Sequence, residues 1–151
     1  MTNINNAKIF VDTNILIYAN DANSTNGAQA IIRMNDLLNN ENQLLISSQV
    51  IREFSNVSIR ESRRLGLAMS NAVATVLNNI AVYESNFEIL FDNQAILDIW
   101  KQLIPTLKTQ KDIFDYNIVA TMKASNITHI LTHNTSDFTP FSEIQVIPLF
   151  D

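Results

Sequence analysis

The chain has no cysteine and only two glycines, Gly27 and Gly66, among its 151 residues. Without thiols, disulfides, thiolate zinc sites and cysteine nucleophiles are excluded. A reducing cytosol suits such a chain. There is no Gly-rich phosphate loop. Nor is there a Gly-x-Ser-x-Gly elbow for a Ser–His–Asp hydrolase. Charged residues make up 17%, too small a share to suggest wholesale disorder. The apolar runs are too short to span a bilayer. The stretch Met1-Thr2-Asn3-Ile4-Asn5-Asn6 places no basic residue ahead of an apolar segment and does not read as a signal peptide. These absences predict a soluble, cytoplasmic protein with no membrane contact.

What is present is a hydrophobic content of 46%, enough for one compact domain over residues 1–151. The net charge of -5 argues in bulk against nucleic acid. The cations are clustered, however. Arg52, Arg60, Arg63 and Arg64 fall in one stretch, and Lys101, Lys108 and Lys111 in another. Such local patches bind phosphate even on an acidic protein.

Short apolar runs alternate with helical periodicity. Strands are expected at Lys8–Val11, Leu44–Ile46, Phe87–Phe91, Ile127–Thr132 and Gln145–Ile147. Helices are expected at Ile15–Ala19 (capped by Thr13 or Asn14), Ser24–Asn40, from Ser47 or Ser48 to about Arg60, Leu65–Ile80, Gln94–Leu103 and Asp112–Ser125. Strands separated by helices imply a three-layer α/β/α fold with a mostly parallel central sheet of about five strands. Trp100, Phe87 and Phe91 are expected in the core.

Four acids then stand out. Asp12 ends the first strand, and Glu53 sits in the early turns of the helix after the second. Asp115 lies near the start of the helix before the fourth strand, and Asp137 lies just beyond that strand. Ligands of parallel sheets collect at the carboxyl ends of strands. Carboxylates gathered there repel one another, and a hard divalent cation is the simplest remedy. Each acid also has a plainer explanation: a helix cap for Asp12, a solvated helix residue for Glu53, a dipole partner for Asp115, a turn residue for Asp137. Asp112 shares a helical face with Asp115 and is a fifth acid or an N-terminal cap.

Four segments carry a resemblance. They are Ile9-Phe10-Val11-Asp12-Thr13-Asn14-Ile15-Leu16, Ser47-Ser48-Gln49-Val50-Ile51-Arg52-Glu53-Phe54, Asp115-Tyr116-Asn117-Ile118-Val119-Ala120 and Ile130-Leu131-Thr132-His133-Asn134-Thr135-Ser136-Asp137-Phe138. In this order they resemble the PIN domain, a small metal-dependent ribonuclease fold that includes the VapC toxins of bacterial toxin–antitoxin pairs. The resemblance implies that Asp12, Glu53, Asp115 and Asp137 are both the catalytic and the metal-holding residues, with Mg²⁺ or Mn²⁺ as cofactor. Thr13, Asn14, Thr132 and Asn134 match positions that orient those carboxylates, and Asp112 is a further supporting residue. The implied activity is endoribonucleolytic hydrolysis of RNA, leaving a 3′-hydroxyl and a 5′-phosphate, by the toxin of a type II pair. An antitoxin protein and a homodimer are implied as partners. Asp115 and Glu53 are both open as the base. All-oxygen donors favour Mg²⁺ or Mn²⁺ over zinc.

Other functions were weighed: a stand-alone RNA-processing PIN nuclease, a PIN-like module that binds RNA or a partner without cutting, and a receiver-type phosphoacceptor. The last wants an acidic pair after the first strand, where Asp12 stands alone, and a late acceptor for which Asp92 is the only candidate. His129 and His133 are four apart, but on a strand that spacing does not build a paired-histidine zinc site.

Overall fold

A computed structural model describes residues 3–151; Met1 and Thr2 of the N-terminal stretch discussed above lie outside the described residues. The elements are β1 (Lys8–Val11), α1 (Thr13–Ala19), α2 (Thr25–Asn39), β2 (Gln43–Ser47), α3 (Ser48–Arg64), α4 (Met69–Asn86), β3 (Glu88–Leu90), α5 (Gln94–Leu103), α6 (Asp112–Ala124), β4 (His129–Thr132) and β5 (Gln145–Pro148). Short 3₁₀ turns follow α5 and β4. The strands form one sheet in the order β3-β2-β1-β4-β5, and every pairing is parallel. This is the expected three-layer α/β/α architecture.

The strand sequences explain why both faces are covered. Ile9, Phe10 and Val11 in β1 and Leu44, Leu45 and Ile46 in β2 are all buried, with no polar alternation. A strand apolar on both sides needs helices on both sides. Strand order reverses about β1: the chain goes to β2 on one flank, while β4 pairs on the other. A crevice opens at such a switch point, at the carboxyl edge of the sheet.

Side-chain caps start most helices. Ser47 Oγ accepts from Val50 N–H at 3.2 Å and starts α3. Ser24 does the same for α2 and Asn93 for α5. Helix α1 begins two residues earlier than expected: Thr13 is already helical, and Asp12 itself is the cap.

Two expectations fail at the next corner. The sequence reading ended α3 near Arg60 and began the following helix at Leu65. Instead α3 runs to Arg64 and α4 starts at Met69. The cause is Gly66, at φ +93°. Its N–H donates to Arg63 O and the N–H of Leu67 to Ser62 O, both at 3.0 Å. That pair of bonds with a left-handed residue is a Schellman ending, which terminates α3 and turns the chain. Phe91 also departs from expectation: it is 69% exposed, beyond the last residue of β3. Phe87 does pack against the core, edge-on to Tyr83. Among the described residues no helix is long and apolar enough to cross a membrane.

Candidate functional site

Asp12 is placed by the sheet. Its N–H donates to Leu131 O at 3.0 Å, so β1 and β4 jointly fix its backbone. The residue is only 6% exposed, yet its carboxylate is well supplied with donors. Oδ1 accepts from Thr13 N–H at 2.8 Å. Oδ2 accepts from the Thr132 hydroxyl at 2.7 Å and from Asn14 Nδ2 at 2.9 Å. Burial raises the Asp12 pKa, while these donors and Thr13 N–H pull against it. A buried carboxylate needs such partners.

The neighbouring polar residues knit the two strands' ends together. Thr132, wholly buried at the end of β4, also accepts from Asn134 N–H at 3.0 Å. Asn14 Oδ1 accepts from His133 N–H at 3.1 Å. The His133 ring packs edge-on against Tyr18. Thus Thr13, Asn14 and Thr132 touch carboxylates directly, whereas the Asn134 backbone supports Thr132.

Glu53 enters from α3. One turn inside the helix start, its Oε2 accepts from the Thr13 hydroxyl at 2.8 Å and its Oε1 from Gln49 Nε2 at 2.6 Å. Gln49 lies four residues earlier on the same face, the spacing at which helical side chains meet. Gln49 in turn accepts from Asn117 of α6. Neither Gln49 nor Asn117 was singled out from sequence; the Gln–Glu spacing at i, i+4 was the available signal.

Asp115 stands in the first turn of α6. Its pKa is raised to about 7, first by burial and then by the charges of Asp137, Asp12, Asp112 and Glu53. Among the described residues nothing hydrogen-bonds its carboxylate. Asp112 accepts from Thr109 N–H at 3.2 Å and so ties the loop before α6. It is the first residue of α6 and not its cap, a place taken by Lys111 without a side-chain bond, and its charge reaches Asp115.

Asp12, Thr13, Asn14, Glu53, Asp115 and Asn134 line one cleft of about 310 Å³, together with Ile17, Asn56 and Val57. Asp137 is in the 3₁₀ turn after β4 and flanks the cleft rather than lining it. Its negative charge is nevertheless the largest electrostatic contribution at Asp115. The sequence reading thus brought together residues that do converge, with Asp137 on the margin.

The donor set is all oxygen and its charge is uncompensated, which fits a hard divalent cation. Asp115, penalised by four like charges and held by no donor, is the group such a cation would relieve most. Among the described residues no group of three or more acidic or histidine side chains is placed to hold a metal ion as it stands. The cleft is open, with Asp12 and Glu53 braced and Asp115 facing them across it.

The geometry defines a class: a parallel α/β/α domain with an acidic cleft at its switch point. Residues 9–144 match the family model described as the PIN domain. The chain belongs to the PIN domain family. A chain of VapBC2 from Rickettsia felis, solved bound to a promoter DNA fragment, superposes with TM-score 0.68 at 17% identity, covering 93% of this chain and 98% of that one. A chain of FitAcB from Neisseria gonorrhoeae gives TM-score 0.66 at 17% identity, covering 94% and 98%. VapC20 of Mycobacterium tuberculosis, described as a toxin that cleaves the sarcin-ricin loop, gives TM-score 0.59 at 18% identity, covering 81% and 86%. At such identities the likeness concerns the fold. A search of curated protein sequences finds no significant match.

Proposed function

We propose that the protein is a Mg²⁺- or Mn²⁺-dependent endoribonuclease, acting as one PIN domain and as the toxin of a toxin–antitoxin pair. The observation that carries this reading is that three carboxylates, Asp12, Glu53 and Asp115, line one cleft, with Asp137 and Asp112 near enough to act on Asp115. Asp12, Glu53 and Asp115 would hold the cation, and Asp137 would add its charge from the flank. When bound, such an ion supplies positive charge against the phosphate and acidifies water.

The chain's own residues do the rest. Thr132, Asn14 and Thr13 hold the Asp12 carboxylate in one orientation, and Thr13 and Gln49 hold Glu53. Among the described residues no donor bonds the Asp115 carboxylate, whereas Glu53 accepts two hydrogen bonds, so Asp115 is the readier proton acceptor for an attacking water. Water adds to phosphorus, the bond to the 3′-oxygen breaks, and the products end in a 5′-phosphate and a 3′-hydroxyl. The reading includes an antitoxin protein and a homodimer as partners; likeness to a chain of a toxin–antitoxin complex from Klebsiella pneumoniae supports the antitoxin.

The test is cleavage of single-stranded RNA with Mg²⁺, with Mg²⁺ chelated, and with Asp12→Asn. Cleavage that needs both the ion and Asp12 supports the reading; undiminished cleavage by the variant refutes it. One observation favours a second reading, a PIN-like module that binds without cutting: among the described residues no three acids are placed to hold a metal ion as they stand. A thermal midpoint that ignores Mg²⁺ and Mn²⁺ would favour that module.

A further inference from the structure

A second, larger groove lies beside the acidic cleft. Its volume is about 540 Å³, inside the range of about 300–1,000 Å³ usual for small-ligand sites. Leu97 and Trp100 of α5 and Phe114 of α6 form its apolar wall. Trp100 was expected in the core, but it is only partly buried. Its ring N–H donates to Ile113 O at 3.2 Å, which fixes the indole plane. Phe114 is 63% exposed, directly before Asp115.

One side chain bridges this groove and the cleft. Gln49 lines the groove, while its Nε2 donates to Glu53 at 2.6 Å and to Phe114 O at 3.4 Å. At the groove's mouth stands Arg52, whose contact with Asp92 is long, 3.6 Å, and solvent-exposed. A pair of that kind contributes little and is readily exchanged for a phosphate.

We propose that this groove receives a nucleobase of the strand whose phosphate lies in the acidic cleft, stacked against Phe114 and Trp100 with Arg52 at the flanking phosphate. The proposal rests on the nuclease reading for its substrate class. Aromatic surface with a cation at its rim is what single-stranded nucleic acid uses, because every base has a π-face. Contiguity with a phosphate-handling cleft favours a base over a protein segment, which would need no acidic neighbour. Stacking on apolar walls discriminates weakly among bases.

Trp100 is the only tryptophan in the chain, so its fluorescence reports the groove directly. The experiment titrates the full-length protein with the four ribonucleoside 5′-monophosphates in Mg²⁺ and follows that signal. Saturable quenching is expected, weakened about 5- to 150-fold in Phe114→Ala, the range for losing one base stack, and restored in Phe114→Tyr. Phe114 is exposed, so its truncation leaves the fold intact. Absence of saturable quenching, or equal quenching in Phe114→Ala, overturns the proposal. So does a signal that follows protein concentration and ignores nucleotide, which would assign the groove to a second copy. The two readings fail separately. Quenching without Mg²⁺-dependent RNA cleavage keeps the base site and removes the nuclease; cleavage without quenching does the reverse.

Discussion

The carboxyl edge of the sheet and the corner between α3 and α4 are built by opposite means. At the sheet edge nearly every polar side chain has a partner. Asp12 accepts three hydrogen bonds, Glu53 two, and Thr132 links both strands to them. At the corner, Ala68 offers α4 no side-chain cap, and Leu65, Met69 and Leu77 stand in solvent. The Arg64–Glu61 pair there is exposed and contributes little. One region uses its polar groups to hold charge in place; the other is held by backbone bonds around a single glycine and an exposed Arg63 side-chain bond to Leu67 O. Disturbance at the first should therefore change chemistry, and at the second almost nothing.

The largest effect is expected for Asp12→Asn. Losing a direct ligand should exceed the 10- to 100-fold typical of supporting residues, so RNA cleavage should fall by more than ~100-fold. Asparagine is as good a helix cap as aspartate. Its amide would, however, face the Thr132 and Asn14 donors that Oδ2 now accepts from, so the thermal midpoint of the metal-free protein should fall modestly, and outright unfolding would mean Asp12 is chiefly structural.

Thr132→Val should come next. It keeps the shape but removes the hydroxyl that donates to Asp12 at 2.7 Å. Activity should fall about 10- to 100-fold, and urea unfolding should show a loss of about 1–3 kcal/mol, because a buried carboxylate loses a donor. Full activity would break the claim that hydrogen bonds set the carboxylate geometry.

A third effect is in pH. Asp115 holds its proton more tightly folded than unfolded, since its pKa rises from 3.8 to about 7. Folding then loses stability as pH climbs from about 4 through about 7. The Lys123–Glu143 and Arg33–Asp151 pairs lower their carboxyl pKa values and act only at more acid pH. Without divalent ions the thermal midpoint should decline between pH 5 and pH 8, and Asp115→Asn should flatten that decline. An unaltered slope in the variant would place the repulsion elsewhere.

The smallest effect belongs to the corner. Leu77 is 59% exposed, so Leu77→Ala should shift stability by no more than ~0.5 kcal/mol and leave cleavage unchanged in a dilute assay. A larger loss would show that this face is covered in solution.

The same contrast separates what could be read from the sequence from what could not. Strands β1, β2 and β4 were legible because apolar runs end in short oxygen-bearing residues, Asp12-Thr13, Ser47-Ser48 and Thr132, which also cap helices or brace acids. Their parallel pairing followed from helix–strand alternation, but their order, β3-β2-β1-β4-β5, is fixed by contacts between strands far apart in the chain. At the corner, the apolar period of residues 65–80 continues across Gly66, so periodicity alone ran through a helix end that only backbone geometry reveals. Gln49 and Asn117 were missed for another reason: amides carry no charge that marks them, and their contact joins residues 68 apart in sequence. Phe91 was misplaced because an aromatic beside a strand looks the same whether it faces the core or water.

The most direct measurement of the central claim is paramagnetic broadening by Mn²⁺ in amide-resolved NMR spectra at neutral pH. The account predicts selective loss of the signals of Asp12, Thr13, Asn14, Glu53 and Asp115 at low Mn²⁺, and their return in Asp115→Asn at the same concentration. Uniform broadening over the surface, or loss centred on some other acidic group such as Asp92 or Glu61, would contradict it.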